Sequence, residues 1–319
     1  MNIVLTCSYQ LFEQVENYKN KMEKLKEIDL DSVEGIECCG NSCTISVDCN
    51  EDDSDAIFAL IETFCNSPKL SQIKELRIGS WDEAWDNSCA HIIDKLVEKK
   101  DQLQHLELLY IGDMDSDECE ISWIQQSDLN AIFVAFPNLK HLNIKGSEGL
   151  SLGKIKHENL LSLSIYTGGL PSNVLHQLAN ADLPRLTDLT LWLGEENYGF
   201  DGFIDDVVPL LQVGLFPSLT SLGLQNSEIA DEIAQAISQN KLQESIKSLN
   251  LSMGVLSDQG AELLLTNDSL NQLDTLNVEE NFLSDEMVSR LKSEFKIGSI
   301  LADKQKEDDG YGRYVEVGE

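Results

Sequence analysis

"LTSLGLQNSEIADEIAQAIS" (Leu219–Ser238) is followed by "IKSLNLSMGVLSDQGAELLL" (Ile246–Leu265) and then by "LDTLNVEENFLSDEMVSRLK" (Leu273–Lys292). The three stretches start 27 residues apart and superpose position for position. Each opens with apolar residues at offsets 0, 3 and 5, as Leu219, Leu222 and Leu224 do. Such a run reads as a short strand whose alternate side chains point to opposite faces. At offset 10 stands Ile229, Leu256 or Leu283, and at offset 12 Asp231, Asp258 or Asp285. An Asp there suits a helix start, at the cap or in the first turn, where its carboxylate meets free backbone N–H groups. The apolar spacing of "DEIAQAIS", "DQGAELLL" and "DEMVSRLK" predicts helices in the return path.

The same opening recurs upstream, as "IKELRI" from Ile73, "LQHLEL" from Leu103, "LKHLNI" from Leu139, "LLSLSI" from Leu160 and "LTDLTL" from Leu186. Along the chain the eight starts are separated by 30, 36, 21, 26, 33, 27 and 27 residues. One such unit cannot bury its apolar face alone, so neighbours must stack and share a core. These are leucine-rich repeats of the ribonuclease-inhibitor-like kind. The expected fold is an α/β solenoid, with a curved parallel β-sheet on the concave face and helices on the convex face. Residues 1–72 are expected to form a leader and a capping half-repeat, 73–295 the eight repeats, and 296–319 a C-terminal tail or cap. Within the leader, "TISVDC" (Thr44–Cys49) alternates like a strand, "SDAIFALIETF" (Ser54–Phe64) reads as an amphipathic helix, and Gln14–Glu27 is a polar helical stretch. "DKQKEDDGYG" (Asp303–Gly312) reads as mobile and "RYVEVGE" (Arg313–Glu319) as a possible final strand.

The 319 residues carry 23 Lys+Arg against 56 Asp+Glu, a formal net charge of −33. A field of that sign repels phosphate backbones and anionic membrane surfaces, so neither nucleic acid nor a membrane is expected as a partner. No basic n-region precedes a long apolar run, and no stretch approaches the ~18 apolar residues of a membrane span. All eight cysteines lie in the first 119 residues, and the cluster "ECCGNSC" (Glu37–Cys43) lacks the second paired arm of a structural zinc site. The cysteines therefore read as reduced thiols of a cytoplasmic protein.

Several stretches are more specific than the repeat pattern. "GDMDSDECEISWIQQSD" (Gly112–Asp128), "TGGL" at Thr167, "LPRLTDLTLWLGEENYG" from Leu183, "GLQNSEIADEIAQA" from Gly223, "LNLSMGVLSDQGAELLL" from Leu249 and "RYVEVGE" carry a resemblance. From about Leu76 onward the chain resembles a family of bacterial cytoplasmic leucine-rich-repeat proteins of unestablished activity, often encoded near radical-SAM and ATP-grasp genes. The cysteine-containing N-terminal region departs from that family. The resemblance implies a cytoplasmic accessory protein.

Gly112–Asp128 begins like a calcium loop. Asp113, Asp115 and Asp117 fill the first three ligand positions, but position 6 is Glu118 instead of Gly and position 12 is Ile124 instead of Glu. A weak cation site at Asp113–Asp117 is the residual reading. Repeat length supplies another: the second and fifth repeats are long, and their extra residues fall directly after the strands, in Gly112–Glu120 and Gly194–Gly202. Insertions on one edge commonly mark a binding face. Outward offsets beside these loops carry Leu109, Tyr110, Lys145, Tyr166, Trp192 and Leu193, with His105, Glu107, His141 and Asn143 nearby. Aromatic anchors within a polar rim are what protein interfaces favour. Trp192 and Leu193 have a second reading, as satellite core beneath their own loop. Asp115, Asp117, Glu195 and Glu196 would form an acidic rim suited to a basic segment. His157 reads as a structural hydrogen-bonding histidine. No nucleophile–base or carboxylate pair has an interpretable spacing, so the expectation is a protein- or peptide-binding module that is not an enzyme and needs no cofactor. The alternative is an accessory subunit that presents a substrate peptide to a modifying enzyme.

Overall fold

The apolar rungs of the repeats form the spine of one eleven-stranded sheet. The computed structural model describes residues 30–47, 56–308, 310 and 312–319. Its strands are β1 (Ile36–Cys39), β2 (Ser42–Ile45), β3 (Glu75–Ile78), β4 (Leu108–Ile111), β5 (His141–Lys145) and β6 (Ser162–Tyr166), then β7 (Asp188–Gly194), β8 (Ser221–Ser227), β9 (Ser248–Asn250), β10 (Thr275–Asn277) and β11 (Ser299–Leu301). They lie side by side in chain order. β1 is antiparallel to β2 and every later pairing is parallel, so the sheet is mixed.

Register shows how the repeats share a core. Cys43, Leu76, Leu109, Leu142, Leu163, Leu189, Leu222, Leu249, Leu276 and Ile300 are successive partners across the sheet. Leu222, Leu249 and Leu276 are at most 1% exposed, and each such burial contributes roughly 1.5–3 kcal/mol. Two of these rungs, Cys43 and Ile300, lie beyond the eight repeats expected from sequence.

The second repeat is out of the expected frame. Leu109 pairs with Leu76 and Ile111 with Ile78, so its unit begins at Leu106, three residues after Leu103. Sequence could not separate the frames, because Leu103, Leu106 and Leu109 are all fully buried and "LQHLEL" and "LELLYI" both satisfy the pattern. Leu109 is therefore core, and His105 and Glu107 lie before the strand.

Eight α-helices are present among the described residues: α1 (Ala56–Cys65), α2 (Ala90–Glu98), α3 (Asn130–Ala135), α4 (Ser172–Leu178), α5 (Ile204–Val207), α6 (Ala230–Gln239), α7 (Asp258–Leu265) and α8 (Asp285–Glu294). The last three match the expected helices, and α6 packs on α7 and α7 on α8. Ser257 and Ser284 are the N-caps of α7 and α8, accepting from Gln259 N and Met287 N. The aspartates do something different from capping their own helices. Asp231 accepts from Ser257 N at 2.8 Å and from Ser257 Oγ at 2.6 Å, and Asp258 accepts from Ser284 N at 2.8 Å. Each ties its helix start to the next repeat. Gly260 makes room for this contact, since a Cβ there would lie 2.3 Å from Asp231 Oδ1.

The N-terminal expectations need amendment. The strand read at Thr44–Cys49 is Ser42–Ile45, and the polar stretch Gln14–Glu27 lies outside the described residues. Cys38 and Cys43 are direct partners across the β1–β2 hairpin and are joined as a disulfide, with 4.2 Å between their Cα atoms. This pair is not the reduced thiols expected. Cys65, Cys89 and Cys119 are free and buried; burial pushes their thiols up to about 12, 11 and 11. Cys39 is free and exposed, and Cys7 and Cys49 lie outside the described residues. No helix among the described residues is long and apolar enough to cross a membrane.

At the other end, β11 is Ser299–Leu301, and 313–319 lies outside the sheet, with a bend at Glu316. Part of the stretch read as mobile is anchored. Gln305 donates to Val278 O and Ala302 O, both at 3.0 Å, and the Lys306 amine sits 5.0 Å from the Phe282 ring centre.

Candidate functional site

Along each strand, residues flanking the buried rungs point to the opposite face of the sheet. In β8, β9 and β10 these are Ser221, Gly223, Ser248, Asn250, Thr275 and Asn277, all small or polar. From β4 to β7 the same face carries large side chains. Tyr110, Tyr166 and Trp192 form a run across it, with ring centres 6.5 Å and 5.1 Å apart and the second pair edge-on. Edge-on aromatic pairs of this kind gain about 0.5–1.5 kcal/mol beyond area burial. All three remain partly exposed.

Polar partners fix the run at both ends. Trp192 Nε1 donates to Gln225 Oε1 at 3.1 Å. The Arg77 guanidinium lies 5.6 Å from the Tyr110 ring centre and pairs with Asp113 at 2.9 Å. Burial, then the Asp113 charge, pushes the Tyr110 phenol well above its ordinary range. Lys145 is the register partner of Tyr166, and its amine donates to the Met114 carbonyl in the loop after β4. The His141 ring nitrogen Nδ1 meets Ser162 Oγ at 2.7 Å.

The structure thus gathers Tyr110, His141, Lys145, Tyr166 and Trp192 on one face. Leu109 and Leu193 do not belong with them, because both are fully buried and contribute to the core. Trp192 and Leu193 are neighbours in sequence with opposite fates, as strand alternation requires. Gln225 stands at the same outward offset as Trp192 in the next repeat, whereas Arg77 escaped sequence reading. The misplaced frame of the second repeat hid that Arg77 is the register partner of Tyr110.

The acidic rim is present in outline. Asp115, Asp117 and Glu196 are exposed, and Glu195 is half-buried. The Tyr198 phenol is raised first by its hydrogen bond to Glu319, with burial and repulsion from Glu319, Glu195 and Glu120 adding. Glu195 belongs to the loop after β7 and Glu120 to the loop after β4.

The calcium-like stretch has no assembled ligand set. Asp113 is engaged by Arg77, the Glu118 carboxylate accepts from Asp115 N at 2.7 Å, and no group of three or more potential metal ligands converges among the described residues. His157 is buried, with Nε2 3.0 Å from Phe136 O and Nδ1 accepting from Asn159 N at 3.2 Å, the structural role expected of it.

A second depression lies where the strands begin, lined by Gln104, His105, Glu107, Asn138, Lys140 and Arg185 among others, with a volume near 320 Å³. Glu107 sits between Lys140 and Lys74, at 2.7 and 3.0 Å, and their hydrogen bonds hold its carboxyl down at about 2. Two exposed tryptophans, Trp85 and Trp123, also went unremarked in the sequence. They stand on loops without apolar periodicity, and Gln125 Nε2 donates to the Trp85 carbonyl at 3.3 Å.

Comparison with known proteins gives one informative likeness. No family model and no curated protein matches the chain. A crystal structure of a Bacteroides fragilis protein, a structural-genomics target, is 30% identical over 99% of this chain and 87% of its own, with a TM-score of 0.77. A complex of TLR13 with single-stranded RNA is 16% identical over 83% of this chain and 36% of its own, TM-score 0.42. An internalin from Listeria monocytogenes is 15% identical over 90% and 85%, TM-score 0.35.

Proposed function

We propose, from the premise that this chain belongs to one family with that Bacteroides fragilis protein, that it is a leucine-rich-repeat solenoid acting as a non-enzymatic protein- or peptide-binding module. Its binding surface is the exposed sheet face from β4 to β7, flanked by the loops at Gly112–Glu120 and Gly194–Gly202. The observation that carries this reading is the run Tyr110–Tyr166–Trp192, left partly exposed on a face where polar side chains flank it, from Arg77 on β3 to Gln225 on β8. Aromatic side chains held in place and surrounded by polar groups are typical interface anchors. The acidic loops and the net charge of −33 favour a partner with a basic segment and disfavour nucleic acid.

The test uses a displayed peptide library biased toward Lys and Arg, selected on the wild-type chain. Selected peptides are expected to be basic and to lose about 2 kcal/mol, roughly thirtyfold, on Trp192→Ala or Tyr166→Ala. Asp115→Asn and Asp117→Asn should act mainly through association rate and its salt dependence. Peptides that bind wild type and a folded Trp192→Ala variant equally would remove this face as the site.

A further inference from the structure

Residues 315–319 lie in a groove at the ends of β6 to β9, and their contacts are those of a bound peptide. Asn226 is fully buried, and its side-chain amide is committed to one residue of that segment. Nδ2 donates to Val317 O at 2.5 Å and Oδ1 accepts from Val317 N at 2.9 Å. Among the described residues that amide has no other partner. One repeat further on, Glu316 N donates to Met253 O at 2.9 Å. Asn226 and Met253 both take the left-handed conformation, at φ +52° and +70°. That conformation is uncommon away from glycine, and in these two residues the polar groups that meet the segment are an amide and a carbonyl.

The remaining contacts select by size and polarity. Val315 is buried, Glu316 is exposed at a bend in the backbone, and Val317 and Gly318 are half-buried. Gly318 is hemmed in on two sides. A Cβ on it would lie 2.4 Å from the Tyr198 ring, and a Cβ on Gly168 would lie 1.9 Å from the Gly318 carbonyl oxygen. Beyond it, Tyr198 donates its hydroxyl to the Glu319 carboxylate at 3.0 Å. An unfilled groove would leave the Asn226 amide without partners other than water. Reading both main-chain polar groups of one residue is a recognised way to hold an extended peptide, with pockets between supplying specificity.

We propose that this groove is a peptide-binding site for a segment of the type Val-x-Val-Gly-acidic, filled in cis by residues 315–319 and able to take the same segment in trans when the cis copy is removed. The cis occupant benefits from an effective concentration on the order of millimolar, which keeps the groove closed to a free peptide in the intact chain. This site is separate from the aromatic face and does not depend on its role.

The probe is a fluorescein-labelled heptapeptide of sequence RYVEVGE, followed by fluorescence anisotropy. The intact chain is expected to bind it weakly or not at all, and a chain lacking residues 315–319 to bind it saturably. Asn226→Ala in the shortened chain should weaken binding at least tenfold. A peptide carrying Gly318→Val should fail on the shortened chain, a control that leaves the protein untouched. If the shortened chain does not fold, a protease site inserted between Gly312 and Arg313 of the full chain supplies the same test. After cleavage the released segment should stay associated, exchange with excess RYVEVGE, and resist the Gly318→Val version. A folded shortened chain that ignores RYVEVGE would overturn the proposal. So would one that binds both peptides equally, or a cleaved segment that leaves at once or does not exchange.

Discussion

The last three regular repeats and the irregular repeats before them are built on the same rungs but differ in what they expose. From β8 to β10 the unit is short, the outward strand positions are Ser, Gly, Asn and Thr with Gln225 beside Trp192, and the polar side chains serve neighbouring repeats, as Asp231 serves Ser257 and Asp258 serves Ser284. Between β4 and β7 the loops after β4 and β7 lengthen, and the outward positions add Leu108, Tyr110, Lys145, Tyr166 and Trp192 to small polar residues such as Asn143, Ser164 and Thr190. The core does not register the change: Leu109 and Leu249 are both fully buried. Burial inside each rung sets stability, while repeat length and outward composition vary independently and set what the surface can hold.

The sharpest way to break that comparison is to truncate matching rungs. Leu109→Ala and Leu249→Ala should each destabilise by about 2–5 kcal/mol in denaturant unfolding, despite lying in regions of different regularity. Leu108→Ala, one position away and half-exposed, should cost less than about 1 kcal/mol. A small effect at Leu109 with a large one at Leu108 would return the second repeat to the frame starting at Leu103.

A smaller effect probes the lateral ties of the regular repeats. Asp231→Ala removes two charge-assisted hydrogen bonds to Ser257 and should destabilise by roughly 1.5–3 kcal/mol. Ser257→Ala combined with it should cost less than the sum of the two single changes, because the Oγ–carboxylate contact is lost in both, and what it adds is the loss of the α7 N-cap. Full additivity in that double-mutant cycle would contradict the tie.

Smaller still is the ion-paired Glu107, whose two exposed lysine partners contribute under about 1 kcal/mol each. Its carboxyl is held below the ordinary 4.5, at about 2. The contribution is therefore present above pH 4.5 and lost as pH falls toward 2. The stability difference between wild type and Glu107→Gln should shrink over that window, and a difference that grows on acidification would reverse the assignment. Smallest is the expected response to EDTA: with no ligand set converging at Asp113, Asp115 and Asp117, a thermal scan should show an unchanged midpoint.

Much of this architecture was legible in the sequence, because offsets 0, 3 and 5 are fixed by burial and the helices by their apolar spacing. The frame of the second repeat was not legible, since Leu103, Leu106 and Leu109 are all buried and the pattern has no preference between them. Of the site, Tyr166 and Trp192 could be placed on one face from alternation alone, whereas Tyr110 joins them only in the frame that starts at Leu106. Leu193 could not be assigned, because the repeat pattern stops at offset 5 and does not tell that β7 runs on to Gly194. Arg77 was invisible because its role depends on the neighbouring strand's register, and Gln225 was legible as an outward residue but not as the partner of Trp192. The clasp of Asn226 on Val317 joins residues 91 apart, a separation at which no local pattern speaks.

The central claim is that the aromatic run on the β4–β7 face is the binding surface. The measurement that tests it most directly is the affinity of one library-selected basic peptide for wild type, Trp192→Ala and the distant surface variant Lys292→Ala, each checked for an unchanged melting midpoint. The account predicts a loss of about 2 kcal/mol for Trp192→Ala and none for Lys292→Ala. Equal affinity for wild type and a folded Trp192→Ala variant would contradict it.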